Sequence, residues 1–336
     1  MKIKAPAKTN LFLRVVRKCG DGYHEIETIF LPLESPSDTV TLTDSNAGKL
    51  CVTCSIPALS GPENICHKAA SAFAKSAKIR PAWKIHIKKN IPVAAGLGGG
   101  SSDAAAVLKL LRAKYPKIIS EAEITALAVK VGADVPFFLN PVPSLATGIG
   151  EKLKPLDVKC EIPLVMVFPK FPVSAKWAYE NRIKDNARQQ SDVATAAESK
   201  LLARRSADAS SSKSNVKAEE VISAMRENDL KKISSLLRND LAPALWKKFP
   251  ILCILSDALI EKGALAVEVS GSGSSLFAIA KSAKSAERIA AAMNKRFGDS
   301  IECFSTNSMN IQENISIPEK LTGKIRIENF QTGKFK

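Results

Sequence analysis

Ile91-Pro92-Val93-Ala94-Ala95-Gly96-Leu97-Gly98-Gly99-Gly100-Ser101-Ser102-Asp103 runs straight into an apolar stretch from Ala104 to Leu111. Gly96, Gly98, Gly99 and Gly100 admit backbone angles closed to other residues and let a ligand approach peptide N–H groups. The helix behind them points the positive end of its dipole at that ligand. The stretch therefore reads as an anion cradle, with phosphate the anion it fits best. It is not a P-loop, because no lysine follows Gly100. Nor is it a dinucleotide fingerprint, because Ile91-Pro92 precedes it and Pro116 stands about where the acidic partner belongs. A glycine turn that only lets a helix and a strand pack closely is the plainer alternative.

The rest of the chain narrows the class. Its 336 residues, 45% hydrophobic and 24% charged, suit a soluble protein with two cored domains. No run of about 18 apolar residues occurs, and residues 1–6 lack the apolar core of a signal peptide, so a cytoplasmic location is expected. Seven scattered cysteines, an odd number, fit reduced thiols. Cys51-Val52-Thr53-Cys54 has metal-ligand spacing but neither a second pair nor a nearby histidine pair, so ordinary thiols and no metal site are expected. A net charge of +16 invites a nucleic-acid reading, yet the basic residues are spread out and aromatics are only 6%. A small polyanionic substrate explains the charge as well, and the expected partners include neither nucleic acid nor membrane.

Along the chain, residues 3–16 read as a strand whose polar part, Lys8, Thr9 and Asn10, needs partners if buried. Strand patterns return at 23–30 and 39–43, a helix at 63–73 and a strand at 84–88, with His67 and His86 expected at the surface. Ser120 to Glu123 is a capping box opening a helix that stops at Gly132. Asp134 then lies between that stop and an apolar run. It is either a helix cap or a partly desolvated carboxylate suited to acid–base work. A strand at 162–168 follows, then a polar insertion at 184–218, helical patterns at about 219–238 and 253–262, and a strand–turn–strand around Gly271-Ser272-Gly273. A helix at 284–297 and a strand at 301–305 complete an expected antiparallel sheet with helices on one face, before a basic tail at 311–336.

Lys8 with Asn10, the glycine loop and the Gly271 turn, in that order, resemble the three motifs of the GHMP kinase superfamily. Four strings are similar to the branch that phosphorylates the 2-hydroxyl of 4-diphosphocytidyl-2-C-methyl-D-erythritol in non-mevalonate isoprenoid synthesis. They are Ala5-Pro6-Ala7-Lys8-Thr9-Asn10-Leu11-Phe12-Leu13, Asp21-Gly22-Tyr23-His24, Gly132-Ala133-Asp134-Val135-Pro136 and Val173-Ser174-Ala175-Lys176-Trp177-Ala178-Tyr179. Asn239-Asp240-Leu241 adds lesser support. The resemblance implies Asp134 as the base and Lys8 as its partner facing the transferred phosphoryl group. It implies Tyr23 and Tyr179 sandwiching a cytosine, His24 reading the base's polar edge, and Asn10 as a further substrate contact. For ATP it implies Asn64, Lys89, Pro92, Val93, Ala94, Ala95, Gly96, Leu97, Gly98, Gly99, Gly100, Ser101, Ser102, Gly271, Ser272 and Gly273. Mg2+ would accompany the nucleotide, with Ser101 or Ser102 as the nearest protein oxygen. Ala94-Ala95 stands where the family carries more glycine, and Ala175 replaces a usual threonine.

The implied fold is α+β in two domains, 1–155 with the glycine loop and 156–310 with the antiparallel sheet, the site lying in the cleft between them. A monomer or weak homodimer is expected. Two rivals stay open. One is another GHMP kinase with a sugar- or mevalonate-type substrate, against which Tyr23, His24 and Tyr179 speak. The other is a nucleic-acid-binding protein, which predicts steep salt dependence and no ATP turnover.

Overall fold

Strand β1 (Lys2–Lys18) runs antiparallel to β2 (His24–Asp44), and this pair is the spine of the first half. The strands expected separately at 23–30 and 39–43 are one 21-residue strand, because β1 offers a partner along nearly its whole length. Register shifts between Pro6 and Lys8, and again between Asn10 and Phe12, absorb the bend. Such bulges re-aim side chains, and here they bracket Lys8, Thr9 and Asn10. The computed structural model describes residues 1–182 and 215–309; the tail at 311–336, and all but the last four residues of the insertion read at 184–218, lie outside them.

β3 (Cys51–Cys54), β4 (Trp83–Lys88), β5 (Ser144–Thr147) and β6 (Lys152–Pro155) join the spine. So does β8 (Arg238–Asn239), a short strand from the second half that pairs parallel with β1, giving a seven-stranded sheet with the order β3-β4-β2-β1-β8 along its main path. One face is covered by α1 (Ile65–Ala77), α2 (Gly99–Lys114), α3 (Glu121–Val131) and α4 (Val135–Leu139), around Phe30, Phe73, Trp83 and Phe137. Each of these fully buried side chains contributes about 1.5–3 kcal/mol of transfer free energy. The capping box at Ser120 is present, its hydroxyl accepting from Glu123 N–H while the Glu123 carboxylate accepts from Ser120 N–H.

The second sheet is antiparallel, ordered β11-β7-β10-β9, from β7 (Pro163–Phe168), β9 (Ala266–Val269), β10 (Leu276–Ile279) and β11 (Glu302–Asn307). Every residue of β7 and β10 is buried, so the sheet is covered on both faces rather than on one. Leu164, Met166, Phe277 and Ile279 meet α6 (Ala218–Arg226), α7 (Leu230–Ser235) and residues of β1 and β2. Val165, Val167, Leu276 and Ala278 share a cluster with α8 (Ala242–Lys248), α9 (Ile251–Glu261) and α10 (Ala283–Phe297). The helix expected at 219–238 is broken between α6 and α7, where Asn228 takes a φ of 53° and Asp229 caps the new helix. A short helix, α5 (Ala175–Glu180), carries Tyr179. The architecture is α+β, and no helix among the described residues is long and apolar enough to cross a membrane.

Candidate active site

Lys8 is only 4% exposed, a costly place for an ammonium unless it is paired. Its Nζ donates to Asn10 Oδ1 at 2.7 Å, lies 3.7 Å from Asp134 Oδ2, and sits 5.1 Å from the centre of the Phe30 ring. Asn10 is fixed in turn, its Nδ2 donating to Thr28 Oγ1 at 2.8 Å while the threonine hydroxyl donates to Phe12 O at 2.6 Å. Burial pushes the Lys8 ammonium below the usual lysine range, and the Asp134 charge partly restores it. Asp134 makes no side-chain cap bond at the start of α4, so the helix-cap alternative falls away and its half-buried carboxylate faces Lys8.

Beside the pair, Tyr179 and His24 are stacked, ring centres 5.3 Å apart with 24° between planes. The Tyr179 phenol is pushed up first by burial and then by the Asp134 charge, which puts this ring in the carboxylate's field. Burial foremost, with Arg182 and Lys18, pushes the His24 imidazole down. A neutral ring offers one donor and one acceptor, as reading a base edge requires. Tyr23 is 59% exposed on the turn before β2; the stacking partner of Tyr179 is His24.

The glycine loop docks directly on this group, since Lys8 N–H donates to Leu97 O at 3.0 Å. Gly98 has φ +72°, and a Cβ there would stand 2.7 Å from Phe138 Cζ and 3.1 Å from Lys8 Cγ. Gly96 is tighter still, its absent Cβ falling 2.1 Å from Ser270 O. The second glycine turn thus meets the first. Thr9 Oγ1 donates to Ser270 Oγ at 3.0 Å, Ser270 Oγ donates to Gly96 O at 3.2 Å, and Ser275 N–H donates to Ala95 O at 3.2 Å. A cavity of about 440 Å3 opens above the N-terminus of α2, lined by residues 92–101 together with Asn64, Lys89 and Asp103. Ser102 lies behind that lining, 1% exposed, its N–H donating to Gly98 O. Gly271, Ser272 and Gly273 are also outside it; a Cβ on Gly271 would be 3.2 Å from Asn10 Oδ1 and 3.4 Å from Lys8 Nζ. Asn64 is the N-cap of α1, accepting from Cys66 N–H and donating to Leu59 O.

Sequence reasoning passed over three residues that hold this arrangement. Thr28 lies within the strand pattern at 23–30 and Asp38 just before the one at 39–43, and nothing local distinguishes either. Asn239 stood in a string of lesser weight, yet its Nδ2 donates to Gly271 O at 2.7 Å and to Val269 O at 2.9 Å, fastening the second turn.

A family model for the GHMP kinases N terminal domain matches residues 64–140, and one for the GHMP kinases C terminal matches residues 221–299. The chain is 34% identical over 286 residues to the 4-diphosphocytidyl-2-C-methyl-D-erythritol kinase of Nitratidesulfovibrio vulgaris, covering 85% of this chain and 92% of that protein. With the protein of the same name from Chlorobaculum tepidum, identity is 35% over 297 residues, 88% of this chain and 94% of the other. The chain belongs to the 4-diphosphocytidyl-2-C-methyl-D-erythritol kinase family of GHMP kinases. A crystal structure of a 4-(cytidine 5'-diphospho)-2C-methyl-D-erythritol kinase superposes with a TM-score of 0.71 at 30% identity, covering 92% of this chain and 100% of that one. The homoserine kinase of Cytophaga hutchinsonii, at 18% identity, 92% and 95% coverage and a TM-score of 0.64, shares the GHMP kinase fold. The matched segments of this kinase contain both glycine turns, Asp134 and Asn239.

Proposed function

We propose that the protein transfers the γ-phosphoryl group of ATP to the 2-hydroxyl of 4-diphosphocytidyl-2-C-methyl-D-erythritol, a step of non-mevalonate isoprenoid precursor synthesis. The observation that carries the reading is the Lys8–Asp134 pair at 3.7 Å, set between a glycine-walled cavity and the His24–Tyr179 stack. Phosphoryl transfer needs an oriented nucleophile, an in-line phosphate and positive charge on the equatorial oxygens. Asp134 takes the hydroxyl proton, the hydroxyl oxygen bonds to the γ-phosphorus, and the bond to the ADP oxygen breaks, with no phosphoenzyme. Lys8, already held by Asn10, stands beside the carboxylate and directs its ammonium toward the transferred group. The flat Tyr179–His24 stack suits a nucleobase, with stacking contributing about 0.5–1.5 kcal/mol per ring pair, and Tyr23 stands exposed on the adjoining turn.

The peptide N–H groups at the start of α2 and the bare backbone of Gly96, Gly98 and Gly99 fit a nucleotide's phosphates. Among the described residues no three acidic, histidine or cysteine side chains gather as a metal cage. Ser101, the cavity-lining hydroxyl nearest the helix start, would be the protein oxygen nearest a Mg2+ bound with the nucleotide. When bound, the ion neutralises phosphate charge.

The nucleic-acid alternative is not better supported, given family relatives that match over most of the chain. The test is ATP consumption against a panel of the cytidine-diphosphate substrate, mevalonate, homoserine and galactose, with Asp134→Asn in parallel. Turnover of the cytidine compound alone is expected, abolished in the variant while its melting curve stays in place. Unchanged turnover in Asp134→Asn would sink the mechanism.

A further inference from the structure

Lys89 directly follows β4 at the entry to the glycine loop, where an ammonium lining a phosphate cavity invites the reading of a direct phosphate contact. Its surroundings point elsewhere. Its Nζ is bonded to Asp38 Oδ2 and lies 2.8 Å from Asp103 Oδ2, and the three side chains are 7%, 0% and 4% exposed. The other oxygen of Asp38 accepts from the N–H groups of Asn90, at 2.5 Å, and Ile91, at 2.8 Å. One buried carboxylate on β2 therefore grips residues 89, 90 and 91 in succession. Lys89 then carries the connection to Asp103 on α2, beyond the far end of the loop. Gly99 leaves the passage for it, since a Cβ there would lie 3.2 Å from Lys89 Nζ. The residues that flank the phosphate loop are thus tied together underneath it.

We propose that Lys89 is a positioning residue, which with Asp38 and Asp103 closes the base of the phosphate loop and sets the direction of its N–H groups. The proposal rests on the kinase reading of the cavity above. Charge accounting agrees with it. One ammonium already faces two carboxyl groups, of which burial pushes Asp103 up to about 7, so the trio is close to charge balance and little of the Lys89 field is left for a third anion. Burial pushes Lys89 down, but Asp103 and Asp38 more than offset this and raise it, so the ammonium stays charged where it is. Unpaired, that charge would oppose the positive end of the α2 dipole; paired, it does not.

The two roles give opposite signs on removing Asp103. If Lys89 serves position, Asp103→Ala loosens the loop. The KM for ATP then rises about tenfold, the scale expected for sub-ångström misplacement, while the KM for the alcohol substrate stays within about twofold. Asp103→Asn, which keeps an acceptor toward Lys89, restores most of the loss. If Lys89 serves charge, Asp103→Ala frees it and ATP binds more tightly. Hydrogen–deuterium exchange on the same variants gives a readout independent of turnover. Faster exchange at amides 92–102 in Asp103→Ala, with the β1–β2 amides unchanged, supports the tie. Unchanged loop exchange, or a lowered KM for ATP, overturns it. Should the wild-type protein phosphorylate nothing, the kinase reading fails and the exchange comparison still decides whether the tie exists.

Discussion

Lys8 is the residue on which the site turns, and its burial sets a pH dependence whose sign can be worked out. Burial disfavours the ammonium, so the folded protein gives up this proton below the 10.5 of a free lysine. Between the lowered folded value and 10.5 the unfolded chain holds a proton that the folded chain has shed, so Lys8's contribution to stability rises with pH across that window. Under the proposed mechanism activity moves the other way, because the charge facing the transferred phosphoryl group is lost. We therefore expect kcat/KM to fall on an alkaline limb below pH 10.5, measured at constant ionic strength. A limb at or above that pH would contradict the buried, paired lysine described here. Lysine and asparagine on a strand need partners if buried, which the sequence made plain. That Thr28 would supply the last link, through Phe12 O, depends on a pairing of β1 with β2 that no local pattern encodes.

At the scale of elements, the glycine loop is legible as a helix start because glycine, dipole and capping physics act within a few residues. Its second partner is not. The stretch around Gly271 reads alone as a strand–turn–strand, and it becomes a wall of the site only where Ser270, Gly96 and Asn239 converge. One sequence departure acquires a physical meaning here. Ala94, which departs from the glycine that the resemblance implies, has φ 53°, a left-handed conformation in which a Cβ crowds the carbonyl. Ala94→Gly relieves about 1–2 kcal/mol of that strain against about 0.5–1 kcal/mol of added chain entropy. A stability gain of up to about 1.5 kcal/mol is expected, read as a higher urea midpoint with unchanged slope. A lower midpoint would show that the loop does not strain Ala94.

For the molecule as a whole, the halves on either side of residue 155 share structure. Strand β8 pairs with β1, and one apolar cluster runs from Ala7, Leu11 and Phe12 through Leu97 to Met166, Val221 and Phe277. Neither half can bury that cluster alone, so we expect one cooperative calorimetric transition; two well-separated transitions would argue for independent units. Periodicity, caps and glycine strings determined most element positions and the reading of an anion cradle, and the strings that resemble one kinase branch implied the α+β class, because each is written within a short window. They did not determine that Tyr179 stacks on His24, that Asp134 comes to 3.7 Å from Lys8, or that Lys89 is enclosed by Asp38 and Asp103. Those contacts join residues more than 10 and up to about 155 positions apart. They exist only once sheet pairing and core packing have offset the entropy of closing the chain between them.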